Sequence, residues 1–168
     1  HLKLLQSKAL NNIFKYERGL GTFIDNHLVQ IQKSNGEKKT IHAQNIIIAT
    51  GSKPRTLPNI EVDENIIMTS DGVDHMKGFP RSMVIVGAGV IGCEYATIFS
   101  NFGKTKVYLI DRSDRILPFE DSDISDMISK NLKKKGVTIH NKAQLERLEI
   151  KNGDVEYELS YKDGSKEI

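Results

Sequence analysis

Apolar residues recur with two different periods in the second half of the chain, and the two periods alternate. Short apolar runs with β-forming residues are predicted as strands at 82–87, 106–110 and 137–140. Segments of helical periodicity fill the intervals, at about 90–102 and 122–135. Strands that alternate with helices favour a parallel sheet with right-handed crossovers. The predicted fold class is therefore α/β, a Rossmann-like βαβαβ unit.

The segments on either side of this unit have the pattern of antiparallel strands. Before it, β-like runs are predicted at 21–25, 28–32 and 38–42, with Asn35-Gly36 as a hairpin signal. After it, the runs 144–150 and 155–161 are separated by Asn152-Gly153-Asp154, and Asp163-Gly164 marks another turn. The sequence therefore predicts an antiparallel β-meander before the parallel unit and a second one after it.

A uniformly apolar run at 45–49 follows the first meander. A run without alternation is typical of a strand buried on both faces of a parallel sheet. The end of a helix is predicted at 1–12, and a proline-containing connector at 51–80 with a short helical turn starting at Ser70-Asp71. Because a meander and a parallel strand occur twice, we expect 1–80 to be the C-terminal remnant of one domain. Residues 81–168 would form most of a second one.

The chain starts at His1 and stops where a further strand is predicted, so we interpret it as a fragment truncated at both ends.

Composition narrows the function classes. The 168 residues carry a net charge of +2, and no apolar run approaches the roughly 20 residues of a membrane span, so a cytoplasmic protein without a membrane partner is expected. The single cysteine, Cys93, and five scattered histidines argue against an intrachain disulfide and against a metal site. The basic run 133–135 is interpreted as a solvated helix end and not as a nucleic-acid site.

The main candidate for chemistry is the glycine-rich turn at 87–92, Gly-Ala-Gly-Val-Ile-Gly, between a predicted strand and a predicted helix. Gly87 would allow the tight turn, Gly89 the approach of backbone to a pyrophosphate, and Gly92 close packing of helix on strand. The N-terminus of the helix would offer N–H groups to the phosphates. This context predicts a dinucleotide-binding site.

An acidic residue, Asp111, ends the next predicted strand about 20 residues after the last glycine, where a carboxylate can bind an adenosine ribose. A carboxylate there favours NAD over NADP. Arg112 and Arg115 keep NADP open, because an arginine beside this position can pair with a 2′-phosphate, although Arg112 is equally explained as an exposed side chain.

Two residues of the predicted helix have alternative interpretations. Glu94 is either a carboxylate stabilised by the helix N-terminus or a contact to the nicotinamide end of the cofactor. Cys93, next to Gly92, is interpreted as a buried packing residue and not as a reactive thiol.

Together these segments resemble the pyridine nucleotide-disulfide oxidoreductases, flavoproteins with two dinucleotide-binding domains. Residues 46–54, Ile-Ile-Ile-Ala-Thr-Gly-Ser-Lys-Pro, resemble the second flavin-contacting segment of that family. Residues 84–95 resemble its NAD(P) motif, and 111–118, Asp-Arg-Ser-Asp-Arg-Ile-Leu-Pro, are similar to dihydrolipoamide dehydrogenases and soluble transhydrogenases.

The resemblance implies two cofactors. FAD would contact Ala49, Thr50 and Gly51. The residues implied for NAD, with NADP as the alternative, are Gly87, Gly89, Val90, Ile91, Gly92, Glu94, Asp111 and Arg112. Hydride would pass between nicotinamide and flavin, and the whole protein would be a homodimer. The family's first FAD motif, redox cysteine pair and dimerisation domain lie outside the chain, so we expect no catalytic residue within it.

The resemblance also implies an identity for each domain. Residues 1–80 would be the remnant of the FAD-binding domain, and 81–168 the NAD(P)-binding domain without its last parallel strand. That strand would follow the second meander and lie beside 82–87, so its loss would leave an apolar edge. We hypothesise that the run 45–49, of the same chain or of a neighbouring one, fills this gap.

Three functions are compatible with these sequence features. The first is the NAD(H)-binding portion of a dihydrolipoamide dehydrogenase-like enzyme that acts through FAD and a redox disulfide. The second is a soluble NAD(P) transhydrogenase, and the third is a stand-alone nucleotide-binding module without catalysis. A Cys-x-x-x-x-Cys sequence upstream of the chain would favour the first function over the second.

Overall fold

The computed structural model describes residues 15–55, 57–58 and 60–168, and the chain divides into two units, His1–Ser52 and Lys53–Ile168. The helix end expected at 1–12 lies outside the described residues. The connector that the sequence assigns to the first domain groups with the second unit. The expected boundary between 80 and 81, and the identity of each domain, stay predictions.

The first unit contains the predicted meander. Strands β1 (Leu20–Phe23), β2 (Leu28–Gln32) and β3 (Lys38–His42) form an antiparallel sheet in the order β1-β2-β3. In the turn between β2 and β3, Gly36 has φ +84°, a backbone conformation that glycine adopts without strain.

The prediction of a buried parallel strand at 45–49 is wrong. The run has no regular secondary structure, and Ile47 and Ile48 are 90% and 69% exposed. An apolar run becomes a buried strand only where neighbouring strands complete its hydrogen bonds and other elements cover both its faces. Among the described residues of the first unit, the only sheet is the antiparallel meander. It provides neither a neighbouring strand for the run nor a cover for its two faces.

The second unit contains the predicted parallel sheet. Strands β4 (Ser82–Val86), β5 (Lys106–Ile110) and β6 (Thr138–His140) pair in parallel in the order β4-β5-β6. Helix α1 (Val90–Asn101) connects the first two strands and helix α2 (Ser122–Lys134) the second two. The α/β fold class is confirmed, and each element lies within two residues of its predicted bounds.

The second meander follows directly as β7 (Ala143–Lys151), β8 (Asp154–Tyr161) and β9 (Lys166–Glu167), which are antiparallel. The parallel sheet lies between this meander and the two helices. Val107 and Leu109 of β5 pack in a core with residues of both helices, whereas Ile110 packs against Ala143 and Leu159 of the meander. The alternation of side chains along one strand thus builds two apolar cores.

Strand β4 is an edge of the parallel sheet. Within the described residues no strand pairs with it on the side away from β5. The hypothesis that 45–49 of the same chain fills this position is therefore wrong, because the run forms no strand. The alternative, that the run of a neighbouring chain fills it, stays a prediction.

The connector contains the expected helical turn, a short 3-10 helix at Gly72–His75 that begins after Asp71. It is tied to α1 by the Tyr95 hydroxyl, which donates a hydrogen bond to the carbonyl oxygen of Ser70 at 3.0 Å. None of the described helices is long and apolar enough to cross a membrane.

Candidate nucleotide-binding site

The glycine-rich turn connects the carboxyl end of β4 to the first turn of α1. Gly87 has φ +108°, and its amide donates to the Ile110 carbonyl at 2.8 Å, which fixes the turn to the neighbouring strand. A Cβ on Gly92 would lie 1.9 Å from the carbonyl oxygen of Gly87, so any side chain there would collide with the turn. The fold itself therefore requires glycine at both positions.

Gly89 differs from the other two glycines. It is the N-cap of α1 with φ −75° and ψ −169°, an extended conformation open to any residue. A Cβ built on Gly89 has no heavy atom within 4 Å. Neither backbone conformation nor packing explains glycine at this position, and the space in front of it is open to a ligand.

The N-terminus of α1 is also open. Among the described residues no side chain caps it and its first turn holds no acidic residue, while Val90 and Ile91 are more than half exposed. Helix α2 is different, because the Asp121 side chain accepts a hydrogen bond from the Asp123 amide at 2.9 Å. An uncapped helix N-terminus presents N–H groups and a partial positive charge to an anion.

Asp111 directly follows β5 and faces the glycine turn. Its Oδ2 accepts a hydrogen bond from the Ala88 amide at 2.6 Å, and its Oδ1 accepts one from the Ser113 amide at 2.8 Å. Each carboxylate oxygen has more than one lone pair, so the group can brace the turn and still accept a hydroxyl. The sequence predicts Asp111 as a ligand but gives no signal of this bracing role.

The two arginines near Asp111 have different surroundings. Arg115 donates to the carbonyl oxygens of Pro118 and Glu120, both at 3.0 Å, and to Ser125 Oγ at 3.3 Å, which ties the loop after β5 to helix α2. Arg112 is exposed and lines a groove together with Gly87 and Asp111. Of these two arginines, only Arg112 is therefore placed to meet a ligand in that groove.

The groove at the carboxyl ends of β4 and β5 contains residues that sequence reasoning missed. Part of its wall comes from the connector and part from the start of β7. These residues are Arg55, Leu57, Pro58, Ile60, Ala143, Leu145 and Glu146. No local motif marks them, because they reach the groove only through the packing of the meander and connector on the sheet.

Glu94 is exposed and lines a different groove, between α1 and α2, with Val90, Thr97 and Ile124. The structure therefore does not bring it together with Asp111, although α1 carries it near the glycine turn. Cys93 lines the same groove but is only 5% exposed. Burial, followed by the charge of Asp111, raises the pKa of its thiol to about 11, which agrees with a packing role.

The residues expected to contact FAD, Ala49, Thr50 and Gly51, lie in the first unit. All three are exposed and without regular secondary structure, and Gly51 has φ +81°. Their role stays a prediction.

The βαβ topology, the glycine turn and the open helix N-terminus define a Rossmann-type dinucleotide-binding fold. The model of the pyridine nucleotide-disulphide oxidoreductase family matches residues 4–168. The chain belongs to this family, which confirms the family predicted from sequence.

Two curated relatives illustrate the similarity. A soluble pyridine nucleotide transhydrogenase of Sodalis glossinidius is 38% identical over 148 residues, which are 88% of this chain and 31% of that protein. A dihydrolipoyl dehydrogenase of Bacillus subtilis is 44% identical over 126 residues, 73% of this chain and 26% of that protein. The chain thus spans about a third or less of the length of these relatives.

Two solved structures share the fold. LpdA from Mycobacterium tuberculosis aligns with a TM-score of 0.71 at 25% identity, over 88% of this chain and 33% of that one. The HOCl-induced flavoprotein disulfide reductase RclA from Escherichia coli aligns with a TM-score of 0.61 at 31% identity, over 88% of this chain and 32% of that one.

Proposed function

We propose that the chain is the NAD(H)-binding portion of an FAD-dependent oxidoreductase, most similar to dihydrolipoamide dehydrogenase. The observation that carries the proposal is Gly89, a glycine that the fold does not need, in front of open space at an uncapped helix N-terminus. The family membership supports it, since the family name refers to a pyridine nucleotide and a disulphide.

The residues present fit a dinucleotide. In this proposal the amides at the start of α1, from Gly89 to Ile91, bind the pyrophosphate, and Asp111 accepts hydrogen bonds from the adenosine ribose. The apolar side chains of the groove, such as Leu57 and Leu145, would cover the adenosine end. The carboxylate of Asp111 favours NAD, and Arg112 is the residue that would support NADP.

The flavin part of the proposal depends on the resemblance of 46–54. Ala49, Thr50 and Gly51 would contact FAD, and Glu94 would lie toward the nicotinamide. The nicotinamide and the flavin supply the hydride chemistry when they are bound. The chain's own contribution is to bind and orient the nucleotide, and we assign no catalytic residue within it.

The test is a fluorescence titration of the chain with NADH, NADPH and FAD. We expect saturable NADH binding that is stronger than NADPH binding. Gly89→Asp places a side chain and a negative charge where the pyrophosphate would lie, so it should weaken NADH binding at least tenfold. Gly78→Asp is the matched control, because a Cβ there also meets open space but lies away from the turn. Equal NADH binding by both variants would contradict the site.

A soluble NAD(P) transhydrogenase is the second candidate, favoured by the identity to the Sodalis glossinidius protein. The complete gene distinguishes the two, because a Cys-x-x-x-x-Cys sequence upstream would indicate the disulfide enzyme and its absence the transhydrogenase. A stand-alone nucleotide-binding module is the third, and NADH binding without any flavin binding would favour it. We further propose a cytoplasmic location and a homodimer for the whole protein.

A further inference from the structure

Basic residues gather at the amino-terminal edge of the parallel sheet, opposite the glycine turn. Three segments end or begin there: 76–82 before β4, 101–106 before β5 and 130–138 before β6. The segments contain no aspartate or glutamate. Their cations, called here the basic edge, are Lys77, Arg81, Lys104, Lys106, Lys130, Lys133, Lys134 and Lys135.

The topology places these segments side by side. Ser82 pairs with Lys106, and Tyr108 pairs with Thr138, so the three strands start at a common edge. Neighbouring strands lie about 4.8 Å apart, which puts the first and third strand starts roughly 10 Å from each other. All eight side chains are exposed, and within the described part of the chain none forms an ion pair.

Helix dipoles explain only part of this arrangement. Lys133 and Lys134 lie in the last turn of α2, where a cation stabilises the C-terminus. The last turn of α1 contains no basic residue. Lys77 and Arg81 precede a strand, and Lys106 lies in one, so these three have no helix end to complement.

The charge of the whole chain is correspondingly uneven. The basic edge holds eight of the 24 lysines and arginines, which leaves 16 of them against all 22 acidic residues elsewhere. Like charges within a Debye length of about 8 Å repel one another at physiological salt. A bound acidic partner would remove this repulsion.

An apolar contact point lies within the basic edge. Phe79 and Phe102 are 44% and 59% exposed, and their ring centroids are 4.7 Å apart. Lys104 Nζ lies 5.8 Å from the Phe79 centroid, and the Thr105 hydroxyl donates to the Pro80 carbonyl at 2.7 Å. The hydrogen bond therefore joins the segment that contains Phe79 to the segment that contains Phe102, and one cation of the basic edge lies beside the aromatic pair.

We propose that the basic edge is a docking surface for an acidic polypeptide segment of another protein, with an apolar side chain of that segment packed on Phe79 and Phe102. Protein interfaces commonly have an aromatic anchor inside a polar, solvent-accessible rim, and complementary charges guide the partners together. The site is independent of the nucleotide site, because the residues of the latter lie at the carboxyl ends of the strands.

The geometry of the aromatic pair favours a polypeptide over a nucleic acid. The rings of Phe79 and Phe102 are inclined to each other by 49°, and Phe79 meets Phe99 edge to face at 74°. The exposed pair is therefore an angular apolar surface, which suits an aliphatic side chain better than the flat faces of stacked bases.

The test uses fluorescence anisotropy with the whole chain and a labelled peptide of ten glutamates around two leucines. The variant Lys77→Gln/Lys104→Gln/Lys133→Gln removes one charge from each segment. We expect this variant to bind the peptide at least tenfold more weakly and with a shallower dependence on salt.

The control Lys38→Gln/Lys53→Gln/Lys162→Gln removes three exposed lysines elsewhere and should change peptide binding less than twofold. Phe102→Ala should weaken binding about fivefold without changing the salt dependence.

Three outcomes would overturn the proposal. An equal loss of peptide binding in the two triple variants would mean that the net charge of the chain, and not the basic edge, causes the binding. If the chain binds an oligothymidylate more tightly than the peptide, and the Lys77/Lys104/Lys133 variant loses that binding, the surface would be assigned to nucleic acid. Salt-dependent self-association that only the first variant abolishes would assign it to a second copy.

Two further measurements keep the test independent of variant folding and of the nucleotide site. NMR shift mapping on the unmodified chain should place the peptide-induced changes in 76–82, 101–106 and 130–138, and changes elsewhere would contradict the proposal. NADH titration of the first triple variant should match that of the unmodified chain, so failure of one site is separable from failure of the other.

Discussion

At the scale of single residues, the three glycines of the 87–92 turn are present for different reasons. Gly87 has φ +108°, and a Cβ on Gly92 would lie 1.9 Å from the carbonyl oxygen of Gly87, so the fold requires glycine at both positions. Gly89 meets neither requirement and faces open space. The spacing of the motif predicts all three glycines but does not show which of them are structural. That distinction depends on where the Gly87 carbonyl lies after folding.

This difference gives a prediction for alanine at two positions of one turn. Gly92→Ala should lower the free energy of unfolding by about 1–3 kcal/mol, because backbone must move to admit the methyl group. Gly89→Ala should cost less than about 1 kcal/mol, since only the N-cap preference of glycine over alanine is lost. Urea unfolding followed by circular dichroism measures both. A Gly89→Ala loss as large as that of Gly92→Ala would show that Gly89 is structural after all.

Asp111 shows the limit of prediction at the same scale. Its place after a strand, about 20 residues past the glycines, is readable from sequence. Its hydrogen bonds to the Ala88 and Ser113 amides are not, because they form between segments that meet only at the sheet edge. The candidate ligand is thus also the brace of the turn that it faces.

At the scale of elements, the apolar runs at 82–86 and 45–49 look alike and behave differently. The first pairs with β5 and packs against both cores, through Ile85 on the helix side and Val84 on the meander side. The second finds no partner in the described residues and is largely exposed. Local pattern predicts an element correctly only when the chain also supplies what it packs against.

The two helices also differ at their N-termini, which gives a prediction for α2. Asp121→Ala removes the side-chain acceptor of the Asp123 amide and should lower the free energy of unfolding by about 1 kcal/mol. Asp126→Ala, an exposed aspartate one turn later, is the control and should change it by less than about 0.5 kcal/mol. The midpoints of urea unfolding provide the comparison. Equal effects would mean that the cap contributes no more than surface charge.

At the scale of the whole second unit, a polar network connects the parallel sheet to the meander. The Tyr161 hydroxyl of β8 donates to Glu167 Oε2 of β9 at 2.8 Å and lies 2.9 Å from His140 Nδ1 of β6. Burial, and then the hydrogen bond and charge of Glu167, raise the pKa of Tyr161 to about 12. The sequence predicts the order of these strands, but the network arises from the layering, which the order alone does not determine.

The raised pKa of Tyr161 predicts a loss of stability at high pH. Between pH 10 and about 12 the folded chain keeps a phenolic proton that the unfolded chain has released, so the free energy of unfolding falls as pH rises through this window. The contribution of one proton reaches at most about 1.4 kcal/mol per pH unit. Urea unfolding at a series of pH values, with tyrosinate absorbance as a second readout, should show this slope above pH 10.

Two variants isolate the contribution of Tyr161 from those of other alkaline groups, such as Cys93 and Tyr157, whose pKa values burial also raises. Tyr161→Phe should reduce the slope by one proton and lower the free energy of unfolding near pH 7 by about 1 kcal/mol, because His140 and Glu167 lose their shared partner. Glu167→Gln keeps the phenol but removes the nearby charge, so the pKa of Tyr161 should fall. The pH window in which the free energy of unfolding decreases should therefore end at a lower pH, while the slope within it remains. An unchanged slope in Tyr161→Phe would show that the meander does not protect this hydroxyl from ionisation, and that the network does not couple the two layers.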